Sequence, residues 1–501
     1  MLRSTIASTM GITSLGFLVS FASQIVISYH FGASAELDAY WVAFALMNLL
    51  AFPLMPLREA LVPEFHRRLQ QDAKTASAYF ARAMTLILLV AIFGALIGWI
   101  FANPLASLAV SENQPAVRDL AVGQLYWLAP AVILLAFSET LNSIMASYHR
   151  VILQAFARLL GLTATLVVLA SVTGLLKTHA LPLSIIAGQA AIAFVQIAAL
   201  RREQLGFRFA WPGGLGKRFL AVSGALLATQ AAIHGYVIFE KHTLTSFSAG
   251  LVSSFQYSVA LTNVLITLVG VSLANVLWPR FLDHAAGDQH EQLYADVSVA
   301  VRFTLLFMGW LCTLVWLNAT PLVELIYARG AFDASAVART SDALRVAVFA
   351  AAPISIGMLM SRALVSLGSA RSVMVAGIAT TLTGCIVLLS ARFLENPTLA
   401  LSHWLIANLV GMATYALLLS RVCGVRHNAY GRVLWWMGRW SAILLIAGGV
   451  SQMIPSTELG GAMLVLGVLE HGTVFTCMFL LLAWLLGMFR DLPAILKRSP
   501  V

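Results

Sequence analysis

Apolar runs of about twenty residues, nearly free of charge, recur along the whole of this 501-residue chain. Each is long enough to cross the roughly 30 Å hydrocarbon core of a bilayer as a helix. Inside lipid the backbone must satisfy its own amides and carbonyls, and a continuous apolar run does so by forming a helix. Spans are expected at 6–29, 38–62, 83–103, 121–146, 151–173, 181–200, 218–240, 250–279, 299–323, 343–366, 371–391, 399–421, 434–454 and 460–488. A soluble fold is excluded on composition. Only 10% of the residues are charged and 60% are hydrophobic, whereas a soluble domain carries about 25% charged residues for its polar shell.

Charge placement gives the topology. With the N-terminus in the cytoplasm, 23 of the 31 Lys and Arg residues fall on the cytoplasmic side and 7 on the outer side, with Arg58 inside a span. Basic residues collect in cytoplasmic loops, so this bias supports a helix count near fourteen with both termini inside. The net charge of +10 follows from the same rule and is not a nucleic-acid footprint. The four cysteines, Cys312, Cys385, Cys423 and Cys477, are scattered without metal-ligand spacing. The first helix lacks a small-residue cleavage site and is expected to be kept as a mature helix.

The chain also repeats itself weakly. Phe31-Gly32-Ala33 precedes the second span and Phe247-Ser248-Ala249 the eighth, 216 residues later. At the same offset, Leu61-Val62-Pro63-Glu64-Phe65 answers Leu277-Trp278-Pro279-Arg280-Phe281. The turn Ser147-Tyr148-His149-Arg150 echoes Ser369-Ala370-Arg371. The expected organisation is a six-helix lobe over 1–200, a cytoplasmic linker at 201–217, a second six-helix lobe over 218–422, and two further helices within 434–488. Six helices return the chain to its starting face, so the repeat is parallel. Two such bundles around a central cavity suit transport by alternating access.

From the second span onward the sequence resembles a known family. Phe31-Gly32-Ala33, Leu37-Asp38-Ala39-Tyr40-Trp41-Val42-Ala43-Phe44, Asn48-Leu49-Leu50 and Leu61-Val62-Pro63 look like the start of the MurJ/MviN family, within the multidrug/oligosaccharidyl-lipid/polysaccharide exporter superfamily. Tyr327-Ala328-Arg329-Gly330-Ala331-Phe332-Asp333, and Arg362-Ala363-Leu364 with Gly368-Ser369-Ala370-Arg371, agree with it. The resemblance implies a flippase for polyprenyl-diphosphate-linked saccharides in the bacterial cytoplasmic membrane, with no enzymatic activity. In the family, arginines of helices one, two and eight face the cavity. Here the corresponding positions are Phe17, Ser23, Ala51 and Ala260. Arginine holds a diphosphate through paired charge-assisted hydrogen bonds. Their replacement favours a cell-surface polysaccharide precursor as substrate, with lipid II and peptidoglycan assembly as the alternative and an ion-coupled multidrug exporter as a third reading.

Ionisable residues inside spans cost roughly 2.5–3.5 kcal/mol each on insertion scales and are functional candidates for that reason. Late in the second span, Arg58 is expected to contact the diphosphate and Glu59 to tune it or couple a cation, or else the two pair near the inner interface and snorkel. Asn48 is expected to meet a neighbouring helix or the sugar. Lys241, Arg345 and Arg362 complete the expected substrate-binding set. Glu139, among Ser138, Thr140, Asn142 and Ser143, is the candidate proton or sodium site, or the partner of a base such as Arg362. Asp38, where the chain enters the second span, reads as a helix cap, a gate anchor or a coupling residue. Interfacial Trp404, Trp435, Trp436 and Trp440 fit an aromatic belt. Pro53, Pro56, Pro353 and Gly357 are possible hinges.

No nucleotide-binding loop, paired-carboxylate motif or metal spacing occurs. No cofactor is expected. The driving force is then an ion gradient or the membrane potential. The expected partners are the lipid-linked saccharide, membrane lipids and the polysaccharide or cell-wall machinery, with no nucleic acid.

Overall fold

A computed structural model describes residues 2–148, 150–203, 209–213 and 217–424, most of the last helix at 462–485, and a few single positions. Apart from Ile443 and Ile446, the thirteenth expected span, with Trp435, Trp436 and Trp440, lies outside the described residues, as does much of the expected linker. The fold is all-α: no described residue is in a strand.

The helices are α1 (Leu2–Phe31), α2 (Ala35–Ala51), α3 (Leu54–Leu69), α4 (Ala73–Ile100), α5 (Ala102–Ala109), α6 (Pro115–Leu128), α7 (Ala131–Ser147), α8 (Val151–Leu176), α9 (Ala180–Leu200) and α10 (Lys217–Thr245). They continue with α11 (Leu251–Leu265), a π-helical turn (Ile266–Val271), α12 (Ser272–Ala286), α13 (His290–Leu317), α14 (Ala319–Tyr327), α15 (Ala334–Ala347), α16 (Ala351–Ser366), α17 (Ala370–Phe393), α18 (Pro397–Val422) and α19 (Ala462–Leu485). Among the described residues eight helical stretches are long and apolar enough to cross a membrane, or ten when each of two bent pairs counts as one span. That tally falls short of fourteen. It takes Val151–Leu200 as one stretch, although the chain there breaks at Lys177 (φ 48°) into α8 and α9, which pack along each other.

The bent pairs show how the second and fourth expected spans accommodate their prolines. α2 and α3 meet at 44°, and α6 and α7 at 48°. Pro53 and Pro130 stand at the breaks. Proline lacks the N–H that would continue the ladder, and its ring crowds the preceding turn. Helix starts are marked by short polar side chains. Asp72 accepts from Lys74 and Thr75 amides ahead of α4, and Asn396 accepts from Leu399 N ahead of Pro397 in α18.

The chain divides into two compact units. The first comprises residues 1–253 with Arg329–Phe332. Its centre is α2, packed against α4, α5, α6, α7 and α10. Leu37, Leu46, Leu61, Phe65 and Phe80 are fully enclosed there. The tetrapeptide Arg329–Phe332 joins this unit by lying on the end of α1, where Ala331 N donates to Tyr29 O at 2.8 Å. Gly330 adopts φ 61°, and a Cβ there would overlap the Tyr29 carbonyl, so only glycine fits this close approach.

The second unit is built around α16, packed against α12, α13, α17, α18 and the π-helical turn. Phe281, Leu293, Ile356 and Leu359 form its core with Phe475 and Phe479 of α19. The Trp310 indole donates to Thr476 Oγ1 at 3.1 Å, tying α13 to α19.

Lipid tails are as apolar as leucine, so close contact between spans rests on small residues and local hydrogen bonds rather than on escape from water. α8 and α9 meet where a Cβ on Gly188 would overlap Thr165 Oγ1. α17 and α18 meet in the same way at Gly411 and Thr380. Large side chains such as Leu175 (84% exposed), Phe194 (73%) and Phe393 (87%) cover the outside. On a soluble protein such a surface would aggregate. Here it faces acyl chains.

Candidate functional site

Asp38 sits in the first turn of α2 but does not cap it. That role belongs to Ser34, whose hydroxyl accepts from Leu37 N. The Asp38 carboxylate is fully buried and turned toward the start of α11. One oxygen accepts from Gly250 N at 2.6 Å, and the other from Ser253 N at 2.7 Å and from the Ser253 hydroxyl. The expected cap is therefore found on a different helix. The first amides of a helix have no partner within it and carry a partial positive charge, so a carboxylate fits there.

Close by, at the end of α10, Lys241 Nζ lies 2.6 Å from Glu240 Oε1, both side chains buried. The charge of Lys241 also acts on Asp38. One ammonium, two carboxylates and the positive end of α11 thus balance in a buried site. Lys241 is enclosed in this cluster, with 3% of its surface exposed.

A second cluster joins the two bent helices. Arg58 Nη1 of α3 lies 2.8 Å from Glu139 Oε2 of α7, with side chains 22% and 31% exposed. The Glu139 partner is Arg58 and not Arg362. Among the described residues Arg58 makes no ion pair with the adjacent Glu59, and Glu59 is exposed. Beside this pair, Ser138 donates to Gln189 Oε1 of α9 at 2.7 Å, and Ser143 bonds back to the Glu139 carbonyl. The polar stretch on α7 is therefore divided between a salt bridge and helix-to-helix contacts. The pair remains partly open to water.

The other expected residues are more local. Asn48 Nδ2 donates to Phe44 O one turn earlier at 2.9 Å, with no bond to a neighbouring helix among the described residues. In the second unit Arg345 is exposed and spans from Asp342 (2.8 Å) to Thr320 (2.9 Å). Arg362 donates to Ala274 O at 3.3 Å and lies over the Trp278 ring at 5.5 Å, a cation–π contact. The fold brings Arg58 to Glu139 and Lys241 to Asp38, while Asn48, Arg345 and Arg362 each stand in separate surroundings. Among the described residues no group of three or more His, Cys, Asp or Glu could hold a metal ion.

Sequence reading misses Gly250 and Ser253 as the partners of Asp38. The signal was present, because both follow directly on the repeated Phe247-Ser248-Ala249. It also misses the network in which Asp296 takes Arg280 at 2.7 Å and His284 at 2.9 Å.

A family model described as lipid II flippase MurJ matches residues 27–466. Among curated proteins, the lipid II flippase MurJ of Burkholderia cenocepacia is 27% identical over 360 residues, covering 67% of each chain. The probable lipid II flippase MurJ of Thermotoga maritima is 22% identical over 364 residues, covering 72% of this chain and 73% of its own. Among solved structures, a lipid II flippase MurJ in an inward closed conformation superposes with a TM-score of 0.78 at 16% identity, over 98% of this chain and 99% of the other. An inward-facing multidrug transporter of the MATE family in the MOP superfamily follows the same fold with a TM-score of 0.67 at 14% identity, over 84% of this chain and 99% of its own.

Proposed function

The chain belongs to the lipid II flippase MurJ family, and on that premise we propose that it carries lipid II across the bacterial cytoplasmic membrane for peptidoglycan assembly. Members of this family are transporters and not catalysts of a chemical reaction. The observation that carries the reading is the family match across residues 27–466, supported by curated relatives that bear the lipid II name. This reverses the preference drawn above from Phe17, Ser23, Ala51 and Ala260. Loss of individual arginines weakens an argument about one head group, but it does not outweigh similarity running through almost the whole chain.

The proposed mechanism is alternating access, with the N-terminus in the cytoplasm as the basic-residue bias suggests. In the proposed cycle Arg58 contacts the diphosphate. A guanidinium engaged by one carboxylate is a ready receptor for a stronger anion, because phosphate oxygens compete for the same fork of donors. Glu139, released from Arg58 when substrate binds, is the proposed acceptor of the coupling cation. Arg345 and Arg362 are proposed as further substrate contacts. Asp38 is proposed as a structural latch on α11 rather than a coupling site, since its oxygens are already occupied.

The test is to place the gene in a bacterium whose own lipid II flippase can be shut off, and to follow growth and inner-membrane lipids by mass spectrometry. Restored growth without lipid II build-up is the expected result. No rescue, together with build-up of another polyprenyl-diphosphate saccharide when the protein is depleted in its own host, would favour the second reading. The absence of arginine from Ile6 to His30 in the first helix is the observation on that side.

A further inference from the structure

Within the first unit α1, α7 and α8 enclose an open-sided cavity of about 380 Å³. Its lining mixes polar side chains, Thr13, Ser20, Asn142, Gln154 and Arg158, with apolar ones such as Phe17 and Leu162. Arg158 is the one charged residue that lines it. Its guanidinium has no hydrogen-bond or ion-pair partner among the described residues, and neither the Asn142 amide nor the Ser20 hydroxyl has one. Gln154 is fixed in place by donating to the Asn142 carbonyl. Three unengaged polar side chains therefore line one cavity between membrane-spanning helices.

Depth supports the same reading. Arg158 lies two turns inside the start of α8, roughly 10 Å along the helix from Val151 at 1.5 Å per residue. The polar zone of a bilayer face is about 5–8 Å deep. A guanidinium at that level reaches lipid phosphates by snorkelling, while its stem stays among acyl chains.

We propose that this cavity binds the headgroup of an anionic glycerophospholipid, with Arg158 on the phosphodiester and Asn142 and Ser20 on the polar headgroup. Charge matching selects this occupant. One guanidinium, with no second cation and no acid in the lining, neutralises a phosphodiester of charge −1. A polyprenyl diphosphate carries more charge than one arginine balances. The amide and hydroxyl suit the glycerol end of phosphatidylglycerol, and Phe17 and Leu162 suit its acyl chains. The proposal depends on the membrane setting of α1 and α8 and not on which substrate the protein carries.

The test is native mass spectrometry of the full-length protein released from detergent, titrated with phosphatidylglycerol and, separately, with a polyprenyl diphosphate. Arg158→Gln is expected to weaken phosphatidylglycerol binding roughly tenfold, the scale of a lost charge-assisted hydrogen bond. Arg158→Lys should recover part of it. Ala155→Phe, which fills the cavity while leaving the cation in place, should lose binding to a similar extent. Arg421→Gln, an exposed arginine at the end of α18, should not. Wild-type phosphatidylglycerol binding by both Arg158→Gln and Ala155→Phe would overturn the proposal. So would loss of polyprenyl diphosphate binding with phosphatidylglycerol binding retained, which would give the cavity to the transported lipid.

Discussion

The carboxylate of Asp38 closes on the first turn of a helix more than two hundred residues downstream, accepting from the amide of Ser253 at 2.7 Å and from its hydroxyl. With Gly250 N at 2.6 Å, the buried carboxylate has three donors. Asp38→Ala leaves buried amides unpaired and Lys241 with one carboxylate fewer. Breaking a buried charged network by removing one partner costs about 3–5 kcal/mol. Thermal unfolding of the detergent-solubilised protein should register a large drop in midpoint. Ser253→Ala removes only the hydroxyl bond and should cost about 1 kcal/mol. Equal effects of the two substitutions would show that the carboxylate is not the organising group.

Arg58 and Glu139 form the one cross-helix ion pair among the expected site residues, and both side chains are partly exposed. A double-mutant cycle with Arg58→Ala and Glu139→Ala should give a coupling of about 1–3 kcal/mol in stability, within the range for directly bonded pairs. The charge-reversed pair, Arg58→Glu with Glu139→Arg, should recover stability, since the attraction is symmetric, yet fail to support transport in the complementation assay. Full transport by the reversed pair would remove Arg58 as the diphosphate contact.

How far the sequence revealed this arrangement depends on the range of each interaction. The apolar runs and the break at Pro53 are local, so the membrane fold and that bend follow from composition and proline chemistry, whereas the break at Pro130, of the same kind, is not among the expected hinges. Arg58 and Glu139 are visible because an ion in an apolar run is costly. Their pairing is not, because it joins residues 81 apart through packing of α3 on α7. Asp38 reads as the cap of its own helix for the same reason: four residues earlier Ser34 already fills that role, and only tertiary structure turns the carboxylate to α11. The π-helical turn at Ile266–Val271 carries no signature beyond Gly270, whose place against Ser355 is a matter of packing.

Gly188 and Gly411 make equivalent close contacts with Thr165 and Thr380 in the two units. A leucine at either site has no room and must push the paired helices apart. Overpacking costs typically about 1–3 kcal/mol, and more where backbone is displaced. Gly188→Leu and Gly411→Leu should each lower the unfolding midpoint clearly, whereas Gly377→Leu, where a Cβ meets open space, should leave it nearly unchanged. Similar midpoints for all three would show that these helix pairs yield to added volume.

Asp333 stands ahead of α15, outside the spans, where its carboxylate accepts from Ala336 N at 2.7 Å and from the Ser335 hydroxyl at 2.8 Å. These bonds favour the ionised form and hold its carboxyl below the usual aspartate range. A group depressed on folding lends its support above the unfolded value near 3.9, and that support fades as pH falls through the lower folded value. The start of α15 should therefore stay protected in hydrogen exchange from neutral pH to about 4 and loosen below it, once rates are corrected for intrinsic acid dependence. Asp333→Ala should loosen the same amides at every pH and abolish the acid step. Persistence of the step in that variant would assign it to another carboxylate.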